Sequence, residues 1–303
     1  MPLAHGQDED IALLGEQLFF DRNLSSNGST SCASCHDLNR GGTDQLARSP
    51  GATGQLSSVN TPTVFNARFN FKQFWDGRAD SLEEQALGPL TNPKEMNNTW
   101  SDILAYVSSN TEYATQFNAQ FDAGVTKETV LTALAVYQRT LITPNSPFDQ
   151  FLNGDEDAIT DQAKQGFELF DDLGCSSCHQ GVNVGGNMFQ RIGVMGDYFA
   201  DRGNVTEADF GLYNVTGIES DRYRFKVPSL RNVADTSPYF HDGSAPTLPE
   251  AVTIMARYQL GIELPQSDVD LLVSFLETLS APPLEVRSTQ ASASNQAHQG
   301  EAR

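Results

Sequence analysis

Basic residues are scarce. Lys and Arg number 19 against 39 Asp and Glu, a formal charge of −20 over 303 residues. Binding to a phosphate backbone needs clustered positive charge, so the composition argues against a nucleic-acid partner. It favours steering of a basic protein partner. No apolar run approaches the ~18 residues of a membrane-spanning helix. Met1 to Asp10 lacks the basic stretch and apolar core of an export signal, so such a signal has been removed or is not used. Segments alternating with period two are few, which argues against an extensive sheet. The apolar fraction of 39% with 19% charged residues is that of a folded chain. The end from Ser288 to Arg303, rich in Ser, Gln and Ala, reads as a flexible tail.

Cysteine is limited to four residues, and all four fall in one pattern. Cys32-Ala-Ser-Cys35-His36 and Cys175-Ser-Ser-Cys178-His179 are both C-x-x-C-H, the attachment signature of c-type haem. Two thiols one turn apart add to the two vinyl groups of one porphyrin, and the following His is held under the iron. A four-cysteine zinc site would bring its pairs within ~15–20 residues, far closer than these. A thioredoxin-like motif needs no His after the second Cys. Two covalent haems are therefore expected, with His36 and His179 as proximal ligands. Because haem c is attached outside the cytoplasm, a periplasmic home is expected too.

The surroundings of the two motifs repeat. Gly15-x-x-Leu-Phe19 precedes the first and Gly166-x-x-Leu-Phe170 the second. Pro62-Thr-Val-Phe-Asn66 matches Pro228-Ser-Leu-Arg-Asn232, and Phe74-Trp-Asp-Gly77 matches Phe240-His-Asp-Gly243, both at an offset of 166 residues. The haem histidines are offset by 143, so about 23 extra residues lie in the second copy, between Gly193 and Arg224. Val130–Leu141 and Val269–Leu279 read as closing helices at 3.6 periodicity, with Thr126 and Ser267 as N-caps. The expected fold is mainly α: two cytochrome c-like domains related by internal duplication, with long ordered loops. The expected division is 1–144, 145–282 and a tail over 283–303 that is flexible or packs back on the first domain. The linker is expected near Thr143–Pro147.

The open faces of the haems should differ. Only His5, His241 and His298 remain besides the proximal pair, and none stands between His36 and His179. The offset of 166 sets Met255 against Pro89. A thioether can ligate iron, whereas a proline side chain has no donor atom. Met255 is thus the expected sixth ligand of the second haem, with Met188 and Met195 as rivals. The first haem is left open. A helix is expected over Leu82–Leu87, ended by Pro89. Cleaving a peroxide at the open haem needs an acid–base group. Glu95 is a candidate, and spacing alone does not separate it from Glu83 or Glu84.

These motifs resemble the bacterial di-haem cytochrome c peroxidases, a superfamily that includes the MauG-type protein-oxidising enzymes. The resemblance runs from about Gly15 to Leu284. It is carried by Asn60-Thr-Pro-Thr-Val, Phe74-Trp-Asp-Gly-Arg78, Gln85-Ala, Glu95-Met96, Phe225-Lys-Val-Pro-Ser-Leu-Arg-Asn232, Pro238-Tyr-Phe-His-Asp-Gly243 and Gln259-Leu-Gly261. It implies reduction of hydrogen peroxide by a small cytochrome c or cupredoxin, and it leaves a homodimer open. It further implies that Glu95 is the acid–base carboxylate and Gln85 its companion amide. Trp75 would lie in the electron path, and the haem of His179 and Met255 would receive the electrons. A calcium ion is implied between the domains, held by the Asn60 side chain and the carbonyls of Thr236 and Pro238. The chain departs from many relatives in one respect: the loop Ser49–Gly54 holds no blocking histidine, its place reading Ala52. Peroxide-driven oxidation of a protein side chain and simple electron carriage are the alternative functions.

Overall fold

The computed structural model describes residues 6–284. The expected tail from Ser288 to Arg303, with His5 and His298, lies outside the described residues. Helices joined by long ordered loops make up the fold. The one sheet among the described residues is a hairpin of Phe189–Arg191 and Arg224–Lys226, antiparallel, with Phe189 opposite Lys226. The segment richest in unmatched residues, 192–223, is the excursion between these two strands.

Each half is built on a crossed helix pair. In the first, Gly6–Phe20 packs on Lys127–Thr140; in the second, Asp161–Asp172 packs on Gln266–Glu277. Glycine explains the closeness. A Cβ on Gly15 would lie 2.0 Å from the Ala133 carbonyl oxygen, and one on Gly166 would lie 2.0 Å from that of Leu271. Around the first pair, Leu14, Leu18, Phe117, Val130 and Leu134 are buried together; around the second, Phe148, Phe170, Leu272, Phe275 and Leu279 are. Each such side chain contributes ~1.5–3 kcal/mol relative to exposure.

Between the two cores the chain runs through buried Thr143. Its hydroxyl accepts from Asn66 Nδ2 (2.7 Å) and donates to Asn232 Oδ1 (2.5 Å). Asn66 and Asn232, which correspond in the repeat, both sit in the left-handed region, at φ 60° and 59°. At the far end, Leu284 N–H donates to the Ile142 carbonyl (2.8 Å).

Two shorter helices stand beside the haem motifs. Leu82–Thr91 is capped by Ser81, whose hydroxyl accepts from Glu84 N–H. Leu248–Met255 is capped by Thr247, which accepts from Glu250 N–H. Both start at the same repeat position, so Pro89 and Met255 hold equivalent places on equivalent helices. Pro89 does not end its helix as expected; it lies inside it. The helix stops within one turn of the proline, so only the missing N–H of residue 89 is forfeited, and Asn92 N–H still reaches the Gly88 carbonyl.

Thr126 caps the first closing helix, with Thr129 completing the box. Ser267 does not cap the second. That helix starts at Gln266 behind Pro265, whose carbonyl accepts from Asp268 and Val269 N–H, and Ser267 Oγ turns to Asp268. Proline presets an extended entry without any side-chain acceptor.

Filling the space at Gly15 should separate the first helix pair. Gly15→Val is expected to lower stability by about 1–3 kcal/mol, read as a reduced thermal midpoint. An unchanged midpoint would show that the helices slide apart at no cost.

Candidate active site

The four cysteines stand in two separate places. Cys32 and Cys35 lie on a single α-turn beside a cavity of about 150 Å3. Cys175 and Cys178 lie beside another of about 440 Å3. None is in a disulfide. Desolvation pushes the Cys32 thiol up to about 12 and those of Cys35 and Cys175 to about 11. Standing apart, the pairs do not form one zinc site, and the thiols of Cys32, Cys35 and Cys175 are not poised as free nucleophiles.

His36 lines the first cavity and His179 the second. His36 Nδ1 lies 3.2 Å from the Gly42 carbonyl. With the proton on Nδ1 the ring donates there, which leaves Nε2 for a ligand. Desolvation lowers the His36 pKa, and the Gly42 carbonyl opposes it. For His179, desolvation brings the pKa down to about 4. The backbone of Val184 and Pro228 opposes this in part, yet Nδ1 is buried with no partner in hydrogen-bond geometry. Both rings are neutral at pH 7, as ligation requires. A thiol pair, a neutral imidazole and a largely apolar cavity beside each suit a covalently held haem on both sides.

The two cavities differ in their walls. The first is lined by Pro89, Gln85, Glu95, Arg78 and Phe74; the second by Met255, Trp75, Phe240 and Lys226. Met188 and Met195 line neither, and Met195 is 63% exposed. Of the three candidate carboxylates only Glu95 lines the first cavity. Glu83 is paired with Arg139 (2.5 Å), and Glu84 accepts from Asp80 N–H (2.7 Å). Desolvation raises the Glu95 pKa, against the pull of the Asn92 side chain (2.6 Å) and of Arg78. The Gln85 side chain has no hydrogen-bond partner among the described residues. From the loop expected to carry a block, Ser49 and Gly51 reach this cavity, joined by Ser57 just beyond it. Ala52 is tucked behind, its N–H on the Glu95 carbonyl (2.7 Å). Among the described residues His36 is the sole histidine lining the first cavity.

Asn60, Thr61, Pro62, Thr63 and Phe74 line both cavities and so form the wall between them. Trp75 Nε1 donates to the Asn60 carbonyl (3.0 Å). Asn60 Nδ2 donates to the Leu46 carbonyl (2.9 Å), which leaves its Oδ1 without a partner among the described residues. Thr236 and Pro238 line the second cavity with Asn60, and neither carbonyl accepts a backbone hydrogen bond among the described residues. Three oxygens without partners suit a hard cation.

One cluster was not anticipated. His241 is fully buried, and its Nε2 lies 2.6 Å from Asp209 Oδ1. Its ring stands 6.5 Å from that of Trp75, nearly edge-on, and 4.4 Å from Phe225. Arg202 holds Asp209 through two nitrogens (2.9 and 2.8 Å) and also pairs with Asp242. Two carboxylates and an imidazole could gather a metal ion, but the arginine already supplies the cation. Burial alone would raise the Asp209 carboxyl. Hydrogen bonds from His241, Arg202 and the Thr206 backbone outweigh it and hold the group well below the usual range. His241 belongs to a quoted motif. Arg202 and Asp209 lie in the unmatched segment, where no pattern marked them.

The family described as "Di-haem cytochrome c peroxidase" matches residues 9–157. Cytochrome c peroxidase Ccp of Escherichia coli is 47% identical over 274 residues, which cover 90% of this chain and 58% of that protein. The chain thus spans less than two thirds of that relative's length. Cytochrome c551 peroxidase of Nitrosomonas europaea is 44% identical over 275 residues, covering 90% of this chain and 81% of that one. A solved MauG-like protein associated with microbial copper homeostasis superposes with a TM-score of 0.81 at 28% identity, covering 92% and 91% of the two chains.

Asp209 makes stability depend on pH. Its folded pKa is below its unfolded value of about 3.9, so its contribution is whole above that value and is lost as pH falls toward the folded one. Asp209→Asn should lower the melting temperature at pH 7, with the gap to the parent narrowing below about pH 4. A gap that is constant from pH 7 to pH 3 would contradict this.

Proposed function

The chain belongs to the di-haem cytochrome c peroxidase family, and we propose that it reduces hydrogen peroxide to water in the first cavity, with electrons that arrive at the second. The observation that carries this reading is an asymmetry. Equivalent helices present Pro89 to the cavity of His36 and Met255 to the cavity of His179. At this repeat position a donor atom faces one site and none faces the other. Domain 1–144 would thus be the peroxidatic one and 145–282 the electron-receiving one.

The bound haems would supply the iron on which peroxide is held and through which two electrons are delivered. Cys32, Cys35 and His36 would hold the first, and Cys175, Cys178, His179 and Met255 the second. The rest is proton handling and positioning by side chains. Glu95 takes the proton from the inner peroxide oxygen and returns it to the outer one, which leaves as water. Two further protons complete the balance of two electrons, two protons and two waters. Gln85, with no other partner, donates from its amide to orient the peroxide. Trp75, which lines the second cavity and donates to the Asn60 carbonyl of the shared wall, carries the electrons across. A calcium ion on Asn60 Oδ1 and the carbonyls of Thr236 and Pro238 would tie the wall together. The donor is a small basic cytochrome c or cupredoxin, drawn by the net charge of −20. Attachment of haem c outside the cytoplasm supports a periplasmic location.

Two results test the reading. Glu95→Gln keeps the size and removes the ionisable oxygen, so turnover should slow by roughly 10²–10⁴ with both haems attached. In the parent enzyme the acid limb of kcat/KM should sit above the usual carboxylate value, because desolvation raises Glu95 and the protonated form cannot accept. Near-parental turnover in the variant would mean that another group moves the proton.

Second, the fully oxidised enzyme should react with peroxide without prior reduction, since no second histidine lines the first cavity among the described residues. Stopped-flow mixing should give an immediate change in the haem spectrum. A change that waits for an added electron would mean that the site is closed by an unrecognised ligand.

A further inference from the structure

Lys226 sits in the second cavity without a counter-charge. It ends the strand Arg224–Lys226, and its N–H donates to the Trp75 carbonyl (2.9 Å). It is 7% exposed. Lysine is almost never buried so deeply unless it is paired. Yet no ion pair or side-chain hydrogen bond reaches its ammonium among the described residues, whereas Arg202 and Arg231 each hold a carboxylate. Of the described residues that line the second cavity it is the sole charged one, and no Asp or Glu is among them. None of the described acidic residues stands there, in a chain that holds 39. An unpaired buried ammonium is costly. Desolvation, unopposed by any charge, brings its pKa down to about 8, in keeping with that isolation.

The repeat sharpens the point. At the offset of 166, Lys226 corresponds to Asn60. Asn60 N–H donates to the His241 carbonyl (2.8 Å), as Lys226 N–H donates to that of Trp75, and His241 corresponds to Trp75. The two backbones are therefore placed alike, while one carries a neutral amide and the other a fixed positive charge. At this position of the repeat, the charge belongs to the second site alone.

We propose that Lys226 is the anion-binding residue of the second cavity, and that its ammonium pairs with a propionate carboxylate of the haem held by Cys175, Cys178 and His179. This rests on the reading that a covalent haem fills this cavity. The porphyrin brings carboxylates into a cavity that offers them one cation. A charge-assisted hydrogen bond there neutralises both partners. The pair also acts on the iron. Positive charge nearby favours the reduced, less positive state, so Lys226 raises the potential of the electron-receiving haem and helps to set its difference from the first.

The test uses the holoenzyme, with K226M and K226R beside the parent, at fixed pH. Spectroelectrochemistry reads both midpoint potentials, and peptide mass spectrometry reads haem on each cysteine pair. K226M should keep two covalent haems, with the second haem's potential lowered and the first unmoved. K226R, which keeps the charge, should stay near the parent. Equal potentials in K226M and the parent, or a shift confined to the first haem, would overturn the proposal. A free anion is distinguished by titrating the parent with chloride: a chloride-dependent second potential assigns the ammonium to a solvent ion and overturns the propionate pairing. If K226M does not accumulate, the propionate bending band in the resonance Raman spectrum decides between parent and K226R. A shifted band supports the pairing and an unmoved band overturns it. Absence of haem on Cys175 and Cys178 in the parent is a separate outcome, which removes the haem reading itself.

Discussion

Everything near the two cavities depends on an exchange of backbone hydrogen bonds between the halves. Asn60 N–H, from the first half, donates to the carbonyl of His241 in the second, and Lys226 N–H, from the second, donates to that of Trp75 in the first. Neither half can complete its own wall. Phe74 and Phe240, the residues just before these two carbonyls, both adopt positive φ, 67° and 70°. A bulky residue is held there only where surrounding contacts over-determine it, at ~1–3 kcal/mol each. The spacing of the two sites is set by this weld rather than by side-chain contact across a flexible junction. Electron transfer between fixed centres requires such a spacing.

On that near-symmetric frame the chemistry is divided by a few unlike pairs. Proline faces methionine across the repeat, tryptophan faces histidine, and asparagine faces lysine. Each pair changes what one cavity can do while leaving the backbone as it was. Pro89 withholds a donor where Met255 offers one. Trp75 lines the second cavity and reaches the wall through a hydrogen bond to the Asn60 carbonyl. Asn60 holds an amide oxygen without a partner among the described residues, where Lys226 holds a cation.

Much of this was legible in the chain. Two C-x-x-C-H motifs that use every cysteine located both cavities, and the offset of 166 carried Pro89 and Met255 to equivalent helix positions. What was hidden depended on distant partners. Glu83, Glu84 and Glu95 look alike in sequence; Arg139, more than fifty residues away, claims the first, and a cavity wall claims the last. Lys226 stood inside a quoted motif with nothing to mark it as buried, because burial of a strand end cannot be seen from its neighbours. Pro89 read as a helix stop, since the sequence does not show that the helix would end a turn later in any case. Ser267 read as a cap because its hydroxyl suits the role, but Pro265 had already set the chain's entry into the helix.

The unmatched segment acquires a reason from the second of those unlike pairs. Trp75 needs one acceptor, and the wall provides it. A histidine in the corresponding place is fully buried and brings two ring nitrogens. Asp209 meets one of them, and a buried carboxylate in turn needs a cation, which Arg202 supplies while also pairing with Asp242. Tyr198 and Phe199 close over the group, with Phe199 6.0 Å from the imidazole. Arg202, Asp209, Tyr198 and Phe199 all come from the excursion between the two strands, and the first half has no counterpart to it. A histidine at this position without that excursion would leave a polar ring bare in the interior, which is costly. The extra residues and the change from tryptophan to histidine are therefore one structural feature, and removing the first while keeping the second would strip the buried imidazole of its carboxylate partner.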